Sequence, residues 1–263
     1  MKTRLSLKLT AAPLYLFLYA PIFVVVLYSF NAVRFGLAWQ GFTTRWYRAL
    51  AEDEQAKAAI KNTLLLAIFS TVIATMLGTM LGYGLARFKF KAARWLDSLL
   101  YIPVFIPDVV MAVALLLFYA LLRKWLGGFE LGLTTMTLAH VTFQIPFVAI
   151  VVRARLHGLD PALEEAARDL GAGEWQTLRH ITLPLMFPGI LAAGMLAFTL
   201  SLDDFVVSFF TSGPGSTTLP ILIYSSLKRG ITPEINALSS LIVAASILGA
   251  VTVMLFQRRH EQS

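Results

Sequence analysis

Cysteine is absent from the 263 residues of the chain, and charged residues are scarce. Without cysteine the protein can form neither a disulfide nor a thiolate metal site nor a cysteine-bound iron–sulfur cluster. Asp, Glu, Lys and Arg account for 14% of the residues and hydrophobic types for 57%, and the mean hydropathy is +0.72. Average soluble domains carry about 25% charged residues, so this composition indicates a polytopic membrane protein.

Motifs for nucleotide binding and for catalysis are absent as well. No glycine is followed by lysine, so the chain lacks the Gly-x4-Gly-Lys-Ser/Thr loop that cradles nucleotide phosphates. It contains no Gly-x-Ser-x-Gly nucleophile elbow, and its four histidines have no second ligand at metal-binding spacing. We therefore expect a protein that is not an enzyme and that binds no cofactor and no metal.

The chain does contain six apolar stretches long enough to cross a bilayer, which takes about 20 helical residues. The stretches are continuous and lack the period-two alternation of barrel strands, and helices satisfy their own backbone groups in lipid. The sequence therefore predicts an all-α polytopic membrane protein with six transmembrane helices in a single domain, residues 1–263. The stretches are 11–30, 63–86, 98–122, 133–152, 186–210 and 237–256.

Lysine and arginine set the predicted orientation. Lys2, Arg4 and Lys8 precede the first stretch, and Arg87 and Arg94 lie in the short loop after the second. Such residues favour the cytoplasmic side, which places both termini in the cytoplasm. The formal charge of +7 is then explained by basic residues beside anionic headgroups, and no nucleic-acid partner is expected.

A polar segment, residues 154–185, separates the fourth and fifth stretches and carries a spaced motif, Glu-Ala-Ala-x3-Gly-x9-Ile-x-Leu-Pro. The motif resembles the coupling loop of ATP-binding-cassette (ABC) importer permeases, which docks on an ATPase subunit and transmits its motion to the membrane helices. The alternative is an ordinary amphipathic helical hairpin in which the glycine caps a helix. The motif positions, with the leucine before the glycine, are Glu165, Ala166, Ala167, Leu170, Gly171, Ile181, Leu183 and Pro184.

Two short helices are expected in this coupling segment, divided at the glycine of the motif. Asp160 suits the N-cap of the first helix, and Pro161 suits its first position. The second helix is expected over about 173–182. Trp175 and Leu178, spaced i,i+3, predict an apolar edge on it that fits a groove of a partner.

Three aspartates lie inside the apolar stretches, where a carboxylate costs about 2.5–3.5 kcal/mol on insertion scales. At about 1.5 Å per residue, Asp108 lies roughly 15 Å into the third stretch, and Asp203 and Asp204 lie roughly 26 Å into the fifth. Pro103 and Pro107 precede the first of these acids and predict a broken helix there, because proline removes a helix hydrogen bond.

These acids are predicted to border a path for a cationic substrate, because a carboxylate offsets the dehydration of a cation. On a continuous helix, Asp204 shares one face with Ser201, Ser208 and Thr211, whereas Asp203 lies on another. The predicted path residues are therefore the three aspartates with Ser201 and Ser208. The alternative is that the acids hold helices together or cap a helix break.

Two further features predict local packing. Gly78 and Gly82 form a Gly-x3-Gly pair in the second stretch, and such small residues permit close approach of a neighbouring helix. The aromatic-rich segment 31–62 is predicted to lie outside the membrane and to form a short amphipathic helix at its surface.

Four short runs, 28–47, 201–207, 212–220 and 233–237, resemble the permeases of spermidine/putrescine ABC importers, and the first resembles the second, C-type permease of that system. The resemblance implies the type I importer fold in the bacterial inner (plasma) membrane. It also implies a heterodimer with a sister permease, two copies of an ATPase subunit that bind ATP and Mg, and a periplasmic polyamine-binding protein.

By the same resemblance, Glu165 faces the ATPase, a short helix at 219–228 faces the binding protein, and the chain forms half of a path for putrescine or spermidine. Related permeases carry iron, phosphonate or opine-like solutes, so another small solute is an alternative. A membrane scaffold that retains the docking loop without transporting is a second alternative.

Overall fold

The computed structural model describes residues 2–33, 38–88, 91–127, 130–230 and 232–260. These residues form twelve α-helices, one π-helical turn and one isolated β-bridge, which confirms the predicted all-α class. Residues 34–37, part of the run 28–47, lie outside the described residues. The helices are α1 Lys2–Tyr28, α2 Arg45–Glu52, α3 Glu54–Arg87, α4 Ala93–Phe105, α5 Asp108–Leu126, α6 Leu133–His157, α7 Ala162–Asp169, α8 Glu174–Thr177, α9 Leu183–Leu202, α10 Val206–Thr211, α11 Leu219–Arg229 and α12 Pro233–His260.

Four helical segments in the described part of the chain are long and apolar enough to cross a membrane. The first and sixth predicted stretches lie in α1 and α12, which contain shorter apolar helical runs. The count of six crossings and the cytoplasmic position of both termini stay predictions. The four long segments are Glu54–Arg87, Asp108–Leu126, Leu133–His157 and Glu174–Leu202.

The chain divides into two compact units, Met1–Lys57 with Leu222–Ser263, and Ala58–Ile221. In the first unit α12 packs against α1 and α2, and α2 is the short helix expected in segment 31–62. Trp46 on α2 is buried, and its indole nitrogen donates to the Asn31 carbonyl at 2.7 Å. This ring therefore anchors a loop of its own unit, whereas the sequence predicted the segment's aromatic rings at a membrane surface.

The core of the second unit is built around α6. The N-terminal half of α6 packs on α5 and α10, and its C-terminal half packs on α9. The first contact is dominated by Ala112, Leu115, Tyr119, Ala139 and Val207, and the second by Val148, Val152, Leu156, Met186, Ala193 and Ala197.

Glycines on α3 bring that helix against α6, as the Gly-x3-Gly pair predicts. A Cβ atom on Gly78 would lie 2.6 Å from Val148 Cβ, and one on Gly82 would lie 2.7 Å from the Ala149 carbonyl oxygen. Both distances are below van der Waals contact, so only glycine permits this spacing of the two helices.

The third predicted stretch is broken, as its prolines predict. Helix α4 ends at Phe105 and α5 begins at Asp108. Ile106, which precedes Pro107, has an extended backbone with φ −76° and ψ 133°, the conformation that a following proline favours. Asp108 therefore occupies the first turn of a helix, where a carboxylate is favoured by the helix dipole.

The fifth predicted stretch is also broken, and here the expectation of one continuous helix over 186–210 is wrong. Helix α9 ends at Leu202 and α10 starts at Val206. Between them, the Asp204 carboxylate accepts hydrogen bonds from the backbone N–H groups of Val207 at 3.3 Å and Ser208 at 2.7 Å. Such side-chain bonds to nearby backbone groups compete with the helical pattern.

Candidate functional site

The coupling segment contains the predicted pair of short helices, and Gly171 divides them. The φ angle of Gly171 is 85°, a left-handed conformation that favours glycine. Its N–H donates to the Arg168 carbonyl at 2.9 Å, and the Ala172 N–H donates to the Ala167 carbonyl at 3.0 Å. This pair of bonds is a Schellman motif, so the glycine caps α7 and turns the chain.

Helix α7 starts one residue later than predicted, because Pro161 occupies the N-cap position and Asp160 precedes it. The Asp160 carboxylate accepts a hydrogen bond from the Ala162 N–H at 3.0 Å, and Pro161 directly precedes the helix. Glu164 and Glu165 lie in its first turn, where the helix dipole favours acidic side chains.

The second short helix differs from its prediction because it continues into the membrane helix. Helix α8 passes through a π-helical turn, Leu178–Thr182, directly into α9. Trp175 is 69% exposed, whereas Leu178 is half-buried. Trp175 therefore projects while Leu178 is partly covered, and the contact of the predicted Trp175–Leu178 edge with a partner stays a prediction.

The motif residues of the coupling segment divide by exposure. Leu170 is 90% exposed, although it is apolar. Ala167 packs inside, and Ile181 is half-buried. The remaining motif residues, all exposed, are Glu165, Ala166, Gly171, Leu183 and Pro184.

A polar cavity of about 360 Å³ lies between the end of α3 and the coupling segment. Glu164 is its central contact. Its Oε1 accepts from Arg87 Nη2 at 2.5 Å and from Thr182 Oγ1 at 2.8 Å. The spaced motif contains Glu165 but not Glu164. Both are glutamates in one helical turn, and the role of Glu164 is visible only in its contact with Arg87, which is distant in the sequence.

All three predicted membrane aspartates line a second cavity of about 370 Å³, hereafter the acidic cavity. The rise per residue placed them at different depths, but the breaks before Asp108 and after Leu202 bring them to one space. Asp108 and Asp203 are exposed, and within the described residues neither forms an ion pair. The other lining residues are Pro103, Met111, Phe143, Phe147, Leu200, Phe205, Val206 and Val207.

Behind the acidic cavity, His140 of α6 is fully buried and contacts residues of α9 and α10. Its Nδ1 is 2.8 Å from Ser201 Oγ, and its Nε2 is 3.0 Å from Ser208 Oγ and 3.3 Å from Asp204 Oδ2. Ser201 and Ser208 are likewise buried and do not line the cavity, so their predicted place on a substrate path stays a prediction. His140 has no spacing signal in the sequence, since its partners lie more than 60 residues away.

The fold is that of the membrane subunits of ABC importers. The chain matches a bacterial ABC transporter that imports the acidic polysaccharide alginate with a TM-score of 0.73 and 22% identity, over 97% of this chain and 95% of that one. The alginate transporter in complex with a pentasaccharide-bound periplasmic protein matches with a TM-score of 0.72 and 21% identity, over 96% and 91% of the two chains.

The sequence profile of the family described as "binding-protein-dependent transport system inner membrane component" matches residues 74–263. The chain is 40% identical over 245 residues to the spermidine/putrescine transport system permease protein PotC of Escherichia coli strain K12, covering 93% of this chain and 91% of that protein. It is 41% identical over 249 residues to the putrescine transport system permease protein PotI of the same strain, covering 94% and 89%.

The chain therefore belongs to the family of binding-protein-dependent transport system inner membrane components. It is a membrane-embedded permease subunit of an ABC importer, which confirms the resemblance seen in the sequence.

Proposed function

We propose that this permease imports polyamines such as putrescine and spermidine. The observation that carries the proposal is the acidic cavity, which lies in a chain about two-fifths identical to permeases named for these substrates. Polyamines are multiply cationic, and two of the cavity's three carboxylates have no ion-pair partner among the described residues. Aromatic and aliphatic side chains complete the lining and suit the methylene chain between the amines.

Charge also fits the direction of transport. Inward movement of each positive charge is favoured by about 2.3 kcal/mol per 100 mV of membrane potential, negative inside. The acidic cavity would lower the barrier to dehydration of the amines, and ATP hydrolysis would enforce direction and accumulation.

The chain would work with the partners that its family implies. These are a sister permease, a periplasmic polyamine-binding protein and two copies of an ATPase subunit, which alone bind ATP and Mg. Leu170 and Trp175 are exposed in the coupling segment and would give the ATPase apolar anchors, since the buried centre of a protein interface is enriched in apolar and aromatic side chains. Glu165 forms no ion pair within the described residues and is available to a cationic side chain of the ATPase.

Uptake in cells tests the proposed function. Labelled putrescine and spermidine are supplied to cells that lack this gene, with and without the chain restored, and in the presence of excess unlabelled polyamines, amino acids or iron. We expect the chain to restore uptake that only polyamines compete. Uptake competed by another solute, or a chain that copurifies with an ATPase without restoring any uptake, would contradict the proposal.

Replacing Asp108 or Asp203 by asparagine should slow polyamine uptake about tenfold, because each substitution removes a charge a few ångströms from the passing cation. Neither carboxylate supports another described side chain through an ion pair, so the amount of protein in the membrane should not change. Initial uptake rates at equal membrane content provide the measurement. The control is Glu52→Gln, which lies on α2 and outside the acidic cavity. An equal loss of uptake in this variant would show that the effect is not specific to the acidic cavity.

A further inference from the structure

One carboxylate, that of Glu164, holds three structural elements together beside the coupling segment. Arg87 is the last residue of α3, Glu164 lies in the first turn of α7, and Thr182 ends the π-helical turn before α9. A single oxygen of Glu164 accepts both the Arg87 guanidinium, at 2.5 Å, and the Thr182 hydroxyl, at 2.8 Å. The coupling helix is thereby bonded to two different membrane helices through one atom.

The environment of this contact makes it stronger than an ordinary surface ion pair. Exposed ion pairs contribute little to folding stability, because water screens them and both side chains lose conformational freedom. Here the Glu164 side chain is 13% exposed and that of Arg87 is 29% exposed, while Thr182 is buried. Hydrogen bonds to an ionised acceptor are about twice as strong as neutral ones, and Glu164 receives two of them.

The Glu164–Thr182 bond lies at the end of the π-helical turn. The Leu183 N–H donates to the Leu178 carbonyl, five residues back, in place of the usual four. Such turns are rare and are found mainly at functional positions in helices. Thr182 fastens this turn to α7, so a displacement of α7 acts on the point where α8 becomes α9.

The two consecutive glutamates of the motif region differ in exposure and in contacts. Both glutamates line the polar cavity, but the Glu164 side chain is largely buried and bonded to Arg87 and Thr182, whereas Glu165 is exposed and forms no ion pair within the described residues. Glu165 suits contact with a partner, and Glu164 suits contact with the rest of this chain.

We propose that Arg87 and Thr182 are positioning residues that act through Glu164 and carry the movement of α7 into α3 and α9 together. The inference rests on the proposed function, in which α7 docks on an ATPase whose cycle drives transport. It assigns a role within this chain to a glutamate that lies outside the Glu-Ala-Ala motif.

The test uses the complete transporter in lipid vesicles, with its ATPase and binding protein, and measures ATP hydrolysis with and without the substrate-loaded binding protein. Arg87→Gln, Glu164→Gln and Thr182→Val should each reduce the stimulation by the binding protein about tenfold, because the first and third remove a bond to the Glu164 carboxylate and the second removes its charge. Assembly with the ATPase and basal hydrolysis should persist. The conservative Thr182→Ser should retain stimulation, and exchanging Arg87 and Glu164 should restore part of it.

The matched control is Arg153→Gln, which breaks the Arg153–Asp97 ion pair between α6 and α4 without touching the coupling segment. The double variant Arg87→Gln with Glu164→Gln should be no worse than either single variant, since both act through one contact. Effects that multiply in the double variant, or an equal loss in Arg153→Gln, would overturn the inference while leaving the proposed function intact. A wild-type complex without stimulated hydrolysis would instead contradict the proposed function and this inference with it.

Discussion

Replacing His140 by leucine should destabilise the second unit by about 3 kcal/mol, the scale of leaving buried polar groups without hydrogen-bond partners. Leucine fills a similar volume, but it leaves the Ser201 and Ser208 hydroxyls and the Asp204 carboxylate without the imidazole that they now contact. Buried polar groups without partners cost more than their bonds contribute. We expect a lower midpoint of thermal unfolding in detergent and less protein in the membrane.

Thr142→Val provides the control for His140→Leu. Thr142 lies on the same helix and is exposed, and among the described residues its hydroxyl donates only to the Leu138 carbonyl one turn back. The Thr142→Val protein should unfold at the wild-type temperature. A His140→Leu protein that also unfolds at that temperature would show that the buried network contributes nothing net to stability.

Replacing Gly82 by valine should lower the stability of the second unit as much as His140→Leu does, for a steric reason. A Cβ there would meet the Ala149 carbonyl oxygen at 2.7 Å and the Ala149 Cα at 3.2 Å. These atoms belong to the backbone of α6 and cannot rotate away, so the two helices must separate. Overpacking of this kind costs about 3 kcal/mol or more, and we expect most of the folded protein to be lost.

Gly84→Val makes the same chemical change two residues further along α3. A Cβ at Gly84 meets nothing within 4 Å, so only the shared difference in helix propensity remains. Yield of monodisperse protein after size-exclusion chromatography compares the pair. Equal yields would mean that α3 and α6 are not packed as closely as the structure places them.

Local features of the sequence predicted much of the coupling segment. Asp160, Pro161 and Gly171 act on backbone groups within a few residues of themselves, so their positions bound α7 without reference to the rest of the chain. The break before Asp108 was predictable for the same reason, because Pro107 restricts the residue beside it.

The break after Leu202 has no such local signal, and the sequence offered it only as the alternative in which the acids cap a helix break. The stretch 186–210 contains no proline after Pro188, and its apolar residues fit a continuous helix. The helix ends because the Asp204 carboxylate bonds backbone N–H groups ahead of it while His140 contacts the same carboxylate from α6. That second contact joins residues 64 positions apart, 204 against 140, and exists only in the folded chain.

The sequence by itself determined the membrane-embedded helical class, the family and the two short helices within residues 154–185, because composition, continuous apolar runs and short spaced motifs are properties of neighbouring residues. Tertiary structure alone decided that Asp108 shares a cavity with Asp203 and Asp204, that His140 supports Asp204, and that Glu164 is bonded to Arg87 while Glu165 stays exposed. Each of these depends on which helices pack together, and residues far apart in the chain meet only when the helices have done so.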